Sequence, residues 1–383
     1  MKIVIAMDSF KGSLSSLEAG KSIARGIRRV DKNSGIVVRP LADGGEGTVE
    51  TLVSGMNGIF QQLTVTGPLG GMVFCEYGII PQSKTAIIEM SSAAGITLVK
   101  KQLRNPLYTT TYGVGEIIKD AIQKGCRHFI IGIGGSATND GGIGMLQALG
   151  YEFLDKTGHP VEFGAKGLKT LHKINTEHVM PELAQCKFRI ACDVSNPLCG
   201  KNGCSVIFAP QKGADPDMIS QLDQWMFQYS QLAQSIVPEA NPNYPGTGAA
   251  GGLGFAFLTF TNATLESGIQ IILDETNLES HIKNADVVIT GEGKLDGQTS
   301  MGKAPVGVAH LAKKYQIPVL AFAGSVTSEA SVCNQNGIDA FFPTVRNIIT
   351  LEEAMDSKTA RENLADTAEQ VFRLLYLKNH LTK

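Results

Sequence analysis

The sequence predicts an α/β protein of two domains, on three observations. Apolar runs of about four to eight residues, closed by glycine, recur along the chain as buried parallel strands do. They alternate with segments of helical periodicity, from Lys2–Ala6 at one end to Asp339–Phe342 at the other. Between residues 61 and 90 the pattern changes to short strands parted by Gly-Pro and Pro-Gln turns, which is antiparallel material. The simplest arrangement is a Rossmann-like parallel-sheet domain formed from both chain ends (1–60 and 265–383). An inserted mixed α/β domain occupies 61–264, with the active site expected in the cleft between them.

Each element has a local cause. Lys2–Ala6 is the first buried strand, and the loop Asp8-Ser9-Phe10-Lys11-Gly12-Ser13 follows it. Ser15-x-x-Glu18 is a capping box, and Leu17, Ile23 and Ile27 share a helical face, so a helix runs to about Val30. Ile36–Arg39 is a strand ending in the turn Pro40-Leu-Ala-Asp43-Gly-Gly-Glu46-Gly47, with a helix after it through Leu52. The insertion begins with strands Gln62–Val65, Val73–Ile79 and Thr85–Met90, then a helix near Gly113–Lys124 and a strand over 128–133. Lys187–Cys192 and Ser205–Phe208 read as further strands, and 216–236 as a helix carrying the single Trp225. Gly248–Gly254 opens an apolar helix. Strands Asp286–Thr290 and Pro318–Ala323 flank a helix over Val306–Tyr315, and 351–377 is an amphipathic helix or pair.

Bulk properties narrow the function. The formal net charge of 383 residues is -2, so the basic face that nucleic acid requires is not expected. The 43 glycines sit largely in clusters, which points to loop chemistry. Seven scattered cysteines, an odd number without framework spacing, predict reduced thiols and a cytoplasmic protein. Neither a signal peptide nor a membrane span is expected from the apolar runs.

The chemistry sits in the glycine-rich loops. Phe129-Ile-Ile-Gly132-Ile-Gly134-Gly135-Ser136-Ala137-Thr-Asn-Asp140-Gly-Gly142 is a strand and turn ahead of a helix-like segment, Ile143–Leu149. Such turns bind phosphate, because glycine lets backbone N–H groups approach an anion and the next helix offers its positive end. Gly132-x-Gly134-x-x-Ala137, with Asp155 downstream, also fits a dinucleotide fingerprint, which keeps a nicotinamide-dependent dehydrogenase open. Gly297-Gln-Thr-Ser-Met-Gly302-Lys303-Ala304 falls one residue short of a P-loop, yet Lys303 can place a point charge on a phosphate. Glu292 and Asp296, in a glycine loop after a strand, supply the hard oxygens that Mg2+ prefers. Asp8, Asp43, Glu46 and Asp193 also stand in strand-end loops, where a parallel sheet gathers its ligands.

Together these motifs resemble the bacterial glycerate kinase family of the type-1 class, over nearly the whole chain. The matching pieces are Asp8–Ser13, Pro40–Thr48, Ile133–Gly142, Ala191–Leu198, Pro210-Gln-Lys212-Gly213-Ala214, Gly248–Gly252 and Thr290–Pro305. The family usually has Pro before the first aspartate, where this chain has Met7. The resemblance implies phosphorylation of D-glycerate by ATP with Mg2+, at the 2-hydroxyl in bacterial members, with 3-kinase regiochemistry as the alternative. The expected roles are catalysis by Asp193 as general base and by Lys303, and substrate binding by Lys11, Asp8 and Asp43, with Asp43 the alternative base. Gly134, Gly135, Ser136, Gly251 and Gly252 are assigned to the nucleotide, and Glu292 and Asp296 to the metal.

Overall fold

The computed structural model describes residues 1–42, 45, 47–297, 299 and 303–381. Along the chain the strands are β1 (Lys2–Met7), β2 (Gly35–Val38), β3 (Ile59–Thr66), β4 (Met72–Ile80), β5 (Thr85–Glu89), β6 (His128–Gly132), β7 (Glu152–Leu154), β8 (Lys173–Asn175), β9 (Lys187–Ala191), β10 (Ala263–Glu266), β11 (Val287–Leu295), β12 (Val319–Val326) and β13 (Ala340–Pro343). They fall into two compact units. One comprises Met1–Asp43, Glu50–Met56 and Ile269–Lys383, the other Gly44–Val49 and Asn57–Gly268.

The first unit holds a five-stranded sheet in the order β13-β12-β11-β1-β2, parallel throughout. Ile3, Ile5 and Met7 of β1 join Ile23 and Ile27 of helix Ser16–Val30 and Leu364 and Phe372 of helix Ser357–Leu381 in one buried cluster. Side chains alternate across a strand, so Val4 and Ala6 face the other way, and helix Ala304–Lys313 packs on β1, β11 and β12. The predicted capping box forms. Ser15 Oγ accepts from Glu18 N–H at 3.3 Å and Glu18 Oε2 accepts from Ser15 N–H at 3.0 Å. A Cβ on Gly26 would lie 2.0 Å from the Ala365 carbonyl oxygen, so glycine is what lets these two helices meet so closely. Arg29 reaches Asp366 at 2.6 Å and Glu369 at 3.1 Å across the same contact.

The second unit carries a six-stranded sheet, β10-β9-β6-β5-β4-β3, in which β4 alone runs antiparallel to its neighbours and the other strands share one sense. The switch of sense at β4 is the change of pattern visible near residue 61. β10 pairs with β9, so the second unit extends to Gly268, beyond the 264/265 boundary expected from sequence. Phe129 and Phe188 stack at 4.7 Å in its core. Strands β7 and β8 form a small separate hairpin.

One expected strand is a helix. Ser205–Phe208 lies in the helix Cys204–Phe208, with Cys204 and Ser205 buried and Val206 and Ile207 exposed. A four-residue apolar run is too short for periodicity to separate strand from helix. The C-terminal region forms the pair Leu351–Met355 and Ser357–Leu381.

Candidate active site

In the first unit, sheet order and chain order part company between β1 and β11. The loop after β1 and the carboxyl end of β11 meet there, at the switch point where open α/β sheets leave a crevice. A cavity of about 420 Å3 occupies the place, lined by Asp8, Lys11, Glu292, Lys294, Asp296 and Lys303 with Phe10, Val345, Leu351, Ala354 and Met355. All five described residues of the first unit that sequence singled out are thus brought together. The apolar wall lowers the local dielectric, which strengthens every charge interaction inside.

The backbone fixes these side chains. Asp8 N–H donates to Gly291 O at 2.8 Å, tying the loop to β11, and Ser9 N–H donates to Asp8 Oδ1 at 2.7 Å. Ser13 and Leu14 N–H both return to Phe10 O, closing the turn that presents Lys11. β11 runs on to Leu295, past the expected end at 290, so Glu292 is a strand residue and only Asp296 belongs to the loop. Thr299 links the two acids. Its hydroxyl donates to Glu292 Oε1 at 2.6 Å and accepts from Asp296 N–H at 3.2 Å. Lys303 precedes helix Ala304–Lys313, whose first turn accepts Pro305 because an N–H there has no helical partner to lose. Its Nζ stands 3.9 Å from Glu292 Oε2, and Lys294 Nζ stands 3.4 Å from Asp296 Oδ2. Asp43 and Glu46 lie outside the described residues.

The second unit has a different centre. After β6 the chain makes a long loop, with Gly134 and Gly135 exposed and Ser136 to Gly142 buried. Gly141 and Gly142 take left-handed backbone angles (φ 66° and 75°), so the helix starts only at Ile143. The helix start beside the turn is Ser91 of the short helix Ser91–Ala94; a Cβ on Gly135 would lie 3.6 Å from the Ser91 Cβ. The Ile143 helix begins where the sequence placed it, too late to open directly after the Gly132–Ala137 dinucleotide fingerprint. Asp155, its ribose partner in that reading, is spent in a local turn on Thr157 and His159 N–H.

A buried lysine supports the loop from within. Lys212 is only 2 % exposed, and its Nζ donates to Ser136 Oγ at 2.8 Å and to Thr138 O at 2.6 Å. Burial pulls its pKa down to about 8, partly countered by Cys204 and then Asp140 nearby. Asp140 is itself fully buried. It accepts from Thr111 N–H and Oγ1–H, both at 2.8 Å, and from Gly142 N–H at 3.1 Å, while burial pushes its pKa up. Gly251 and Gly252 pack against this loop. Gly141 N–H donates to Gly251 O at 2.9 Å, and a Cβ on Gly251 would lie 2.1 Å from Thr138 O. Asp193 lies two residues past the end of β9 and accepts from Gly268 N–H at 3.1 Å.

Sequence reasoning gave no role to Lys212 or Thr299, although both stand in motifs it quoted. Nothing in residue spacing distinguishes a buried lysine from a solvated one. The only local sign is Gly213, left-handed at φ 95°, which turns the chain directly after Lys212.

Phosphoryl transfer asks a protein for positioned charge more than for covalent chemistry. The class that this fold and these loops define is a small-molecule kinase. The chain belongs to the glycerate kinase family, whose sequence profile matches residues 3–376. It is similar to a glycerate kinase of Haemophilus influenzae, 47% identical over 99% of this chain and 100% of that one. A glycerate 2-kinase of Escherichia coli is 46% identical over 97% of each chain. Among solved structures, one described as glycerate kinase 2 of Salmonella typhimurium LT2 superposes with a TM-score of 0.92 at 45% identity, covering 99% of both chains.

Proposed function

We propose that this chain phosphorylates D-glycerate at the 2-hydroxyl with ATP, giving 2-phosphoglycerate. The observation that carries the reading is the cavity of about 420 Å3 that gathers Lys11 and Lys303 with Asp8, Glu292 and Asp296. A three-carbon acid fits such a volume, and a lysine beside an apolar wall suits its carboxylate. The name of the Escherichia coli relative supports the 2-position.

In this reading Lys11 receives the glycerate carboxylate and Asp8 orients a hydroxyl. Lys303 offsets charge on the transferring group, worth roughly several kcal/mol in a water-excluded site. Gly134, Gly135 and Ser136 receive the nucleotide phosphates on main-chain N–H groups and a hydroxyl, and Gly251 and Gly252 hold that loop in shape. Asp193 takes the proton of the attacking hydroxyl, and the Gly268 N–H holds its carboxylate in place. Glu292 and Asp296 fit a hydrated Mg2+, because few hard oxygens, locked by Thr299, suit an ion that keeps its waters. Bound there, Mg2+ would neutralise phosphate oxygens. The seven free thiols support a cytoplasmic location. Among the described residues no helix is long and apolar enough to cross a membrane.

An ADP-release assay across small hydroxy acids, with phosphorus NMR of the product, tests the reading. ATP- and Mg2+-dependent turnover of D-glycerate to the 2-phosphate is expected. A 3-phosphate would move the acceptor oxygen, and turnover of NAD without ATP would replace the kinase altogether.

A further inference from the structure

Lys212 is a buried cation that the proposed chemistry does not use, and its hydrogen-bond grammar is one-sided. An ammonium has donors and no acceptor. Ser136 Oγ, 2.8 Å from Lys212 Nζ, is therefore the acceptor of that bond. A hydroxyl has a single hydrogen, and the ammonium repels it, so the Ser136 O–H points away from Lys212. The second donation, to Thr138 O at 2.6 Å, pins the chain two residues on. Gly134 and Gly135, immediately before Ser136, are exposed, and a Cβ on Gly134 would meet no heavy atom within 4 Å.

We propose that Lys212 is a positioning residue which turns the Ser136 hydroxyl outward as a donor to the nucleotide phosphate. The proposal rests on the reading of Gly134–Ser136 as the nucleotide site and deepens it. The arrangement is reversible by pH. A neutral amine can accept, so the Ser136 O–H would swing inward once Lys212 loses its proton, at about pH 8. The titratable groups that face Lys212 are the Cys204 thiol, pushed up to about 12 by burial, and the Asp140 carboxyl, also raised by burial; the Ser136→Ala profile isolates the part of the pH response that passes through the hydroxyl.

The test is ADP affinity, measured by calorimetry with Mg2+ present, from pH 7 to 9.5. Four proteins are compared: wild type, Lys212→Met, Ser136→Ala and the double variant. Each single change is expected to weaken ADP about tenfold at pH 7, a typical effect for one charge-assisted hydrogen bond. The double variant should be no weaker than either single one, because both remove the same donor. Wild-type affinity should fall through pH 8, and Ser136→Ala should abolish that fall. The D-glycerate KM should not move. Equal ADP affinity in wild type and Lys212→Met, multiplicative losses, or a flat wild-type profile would each overturn the proposal. The wild-type and Ser136→Ala profiles decide it even if Lys212→Met does not fold.

Gly134→Leu separates the two levels of the argument. Unchanged ADP binding in Gly134→Leu removes the nucleotide from this loop, and the role of Lys212 with it. Loss of binding in Gly134→Leu beside unchanged binding in Lys212→Met rejects Lys212 alone.

Discussion

The strand-end loops of the two sheets present charge to a ligand in opposite ways. In the first unit the charged groups are themselves in the cavity wall, with Lys303 35% and Lys294 58% exposed at the side chain. In the second unit the charge sits behind the main chain. Lys212 is sealed in and reaches the loop surface only through Ser136 and Thr138. The first design lets side chains follow a substrate whose charge changes during reaction. The second freezes a backbone shape, as suits a polyphosphate that is gripped and released. Substitutions of the cavity charges and of Asp193 should therefore act on turnover or on the D-glycerate KM, and those in the Gly134–Gly142 and Gly251–Gly252 loops on ADP affinity and stability.

The largest expected effect would break that division if it failed. Asp193→Asn should lower kcat by about 10²–10⁴, the usual worth of a general base, with little loss of ADP affinity. Near-normal turnover in that variant, together with a collapse in Asp8→Asn, would move the base to the first unit. Lys303→Met should cost about 10²–10³ in kcat and leave the melting temperature near wild type, since its side chain is partly exposed. An unchanged kcat would take Lys303 out of the transition state.

Gly251→Ala sharpens the other arm. Its new Cβ would lie 2.1 Å from Thr138 O at a φ of 68°, so about 1–3 kcal/mol of stability should be lost in denaturant unfolding. Unaltered stability would mean that the two glycine loops part easily. The smallest effect is Lys11→Ala, expected to raise the D-glycerate KM roughly tenfold with kcat preserved. A constant KM would remove Lys11 from the substrate.

The open half of this comparison was legible in the sequence and the sealed half was not, for one reason. Asp8, Lys11, Glu292, Asp296 and Lys303 sit in or beside glycine turns at strand ends, and a parallel sheet sends such turns to one edge. Strand and turn are local patterns, so the site could be read from them. The burial of Lys212 depends on contacts between segments far apart in sequence. Lys212 and Ser136 are 76 positions apart. The reading of Ser205–Phe208 as a strand failed the same way. Ser-Val-Ile-Phe has strand-like local preferences, and packing overrode them.

The folding of the first unit from both chain ends has a consequence for biogenesis. β1 and helix Ser16–Val30 leave the ribosome early, but β11 and helix Ser357–Leu381, their packing partners, are made last. The second unit has its whole sheet once Gly268 has been translated. At roughly 5–20 residues per second, the nascent N-terminal unit of strand and helix waits some tens of seconds for its other half. Its apolar face is open to chaperones throughout that interval.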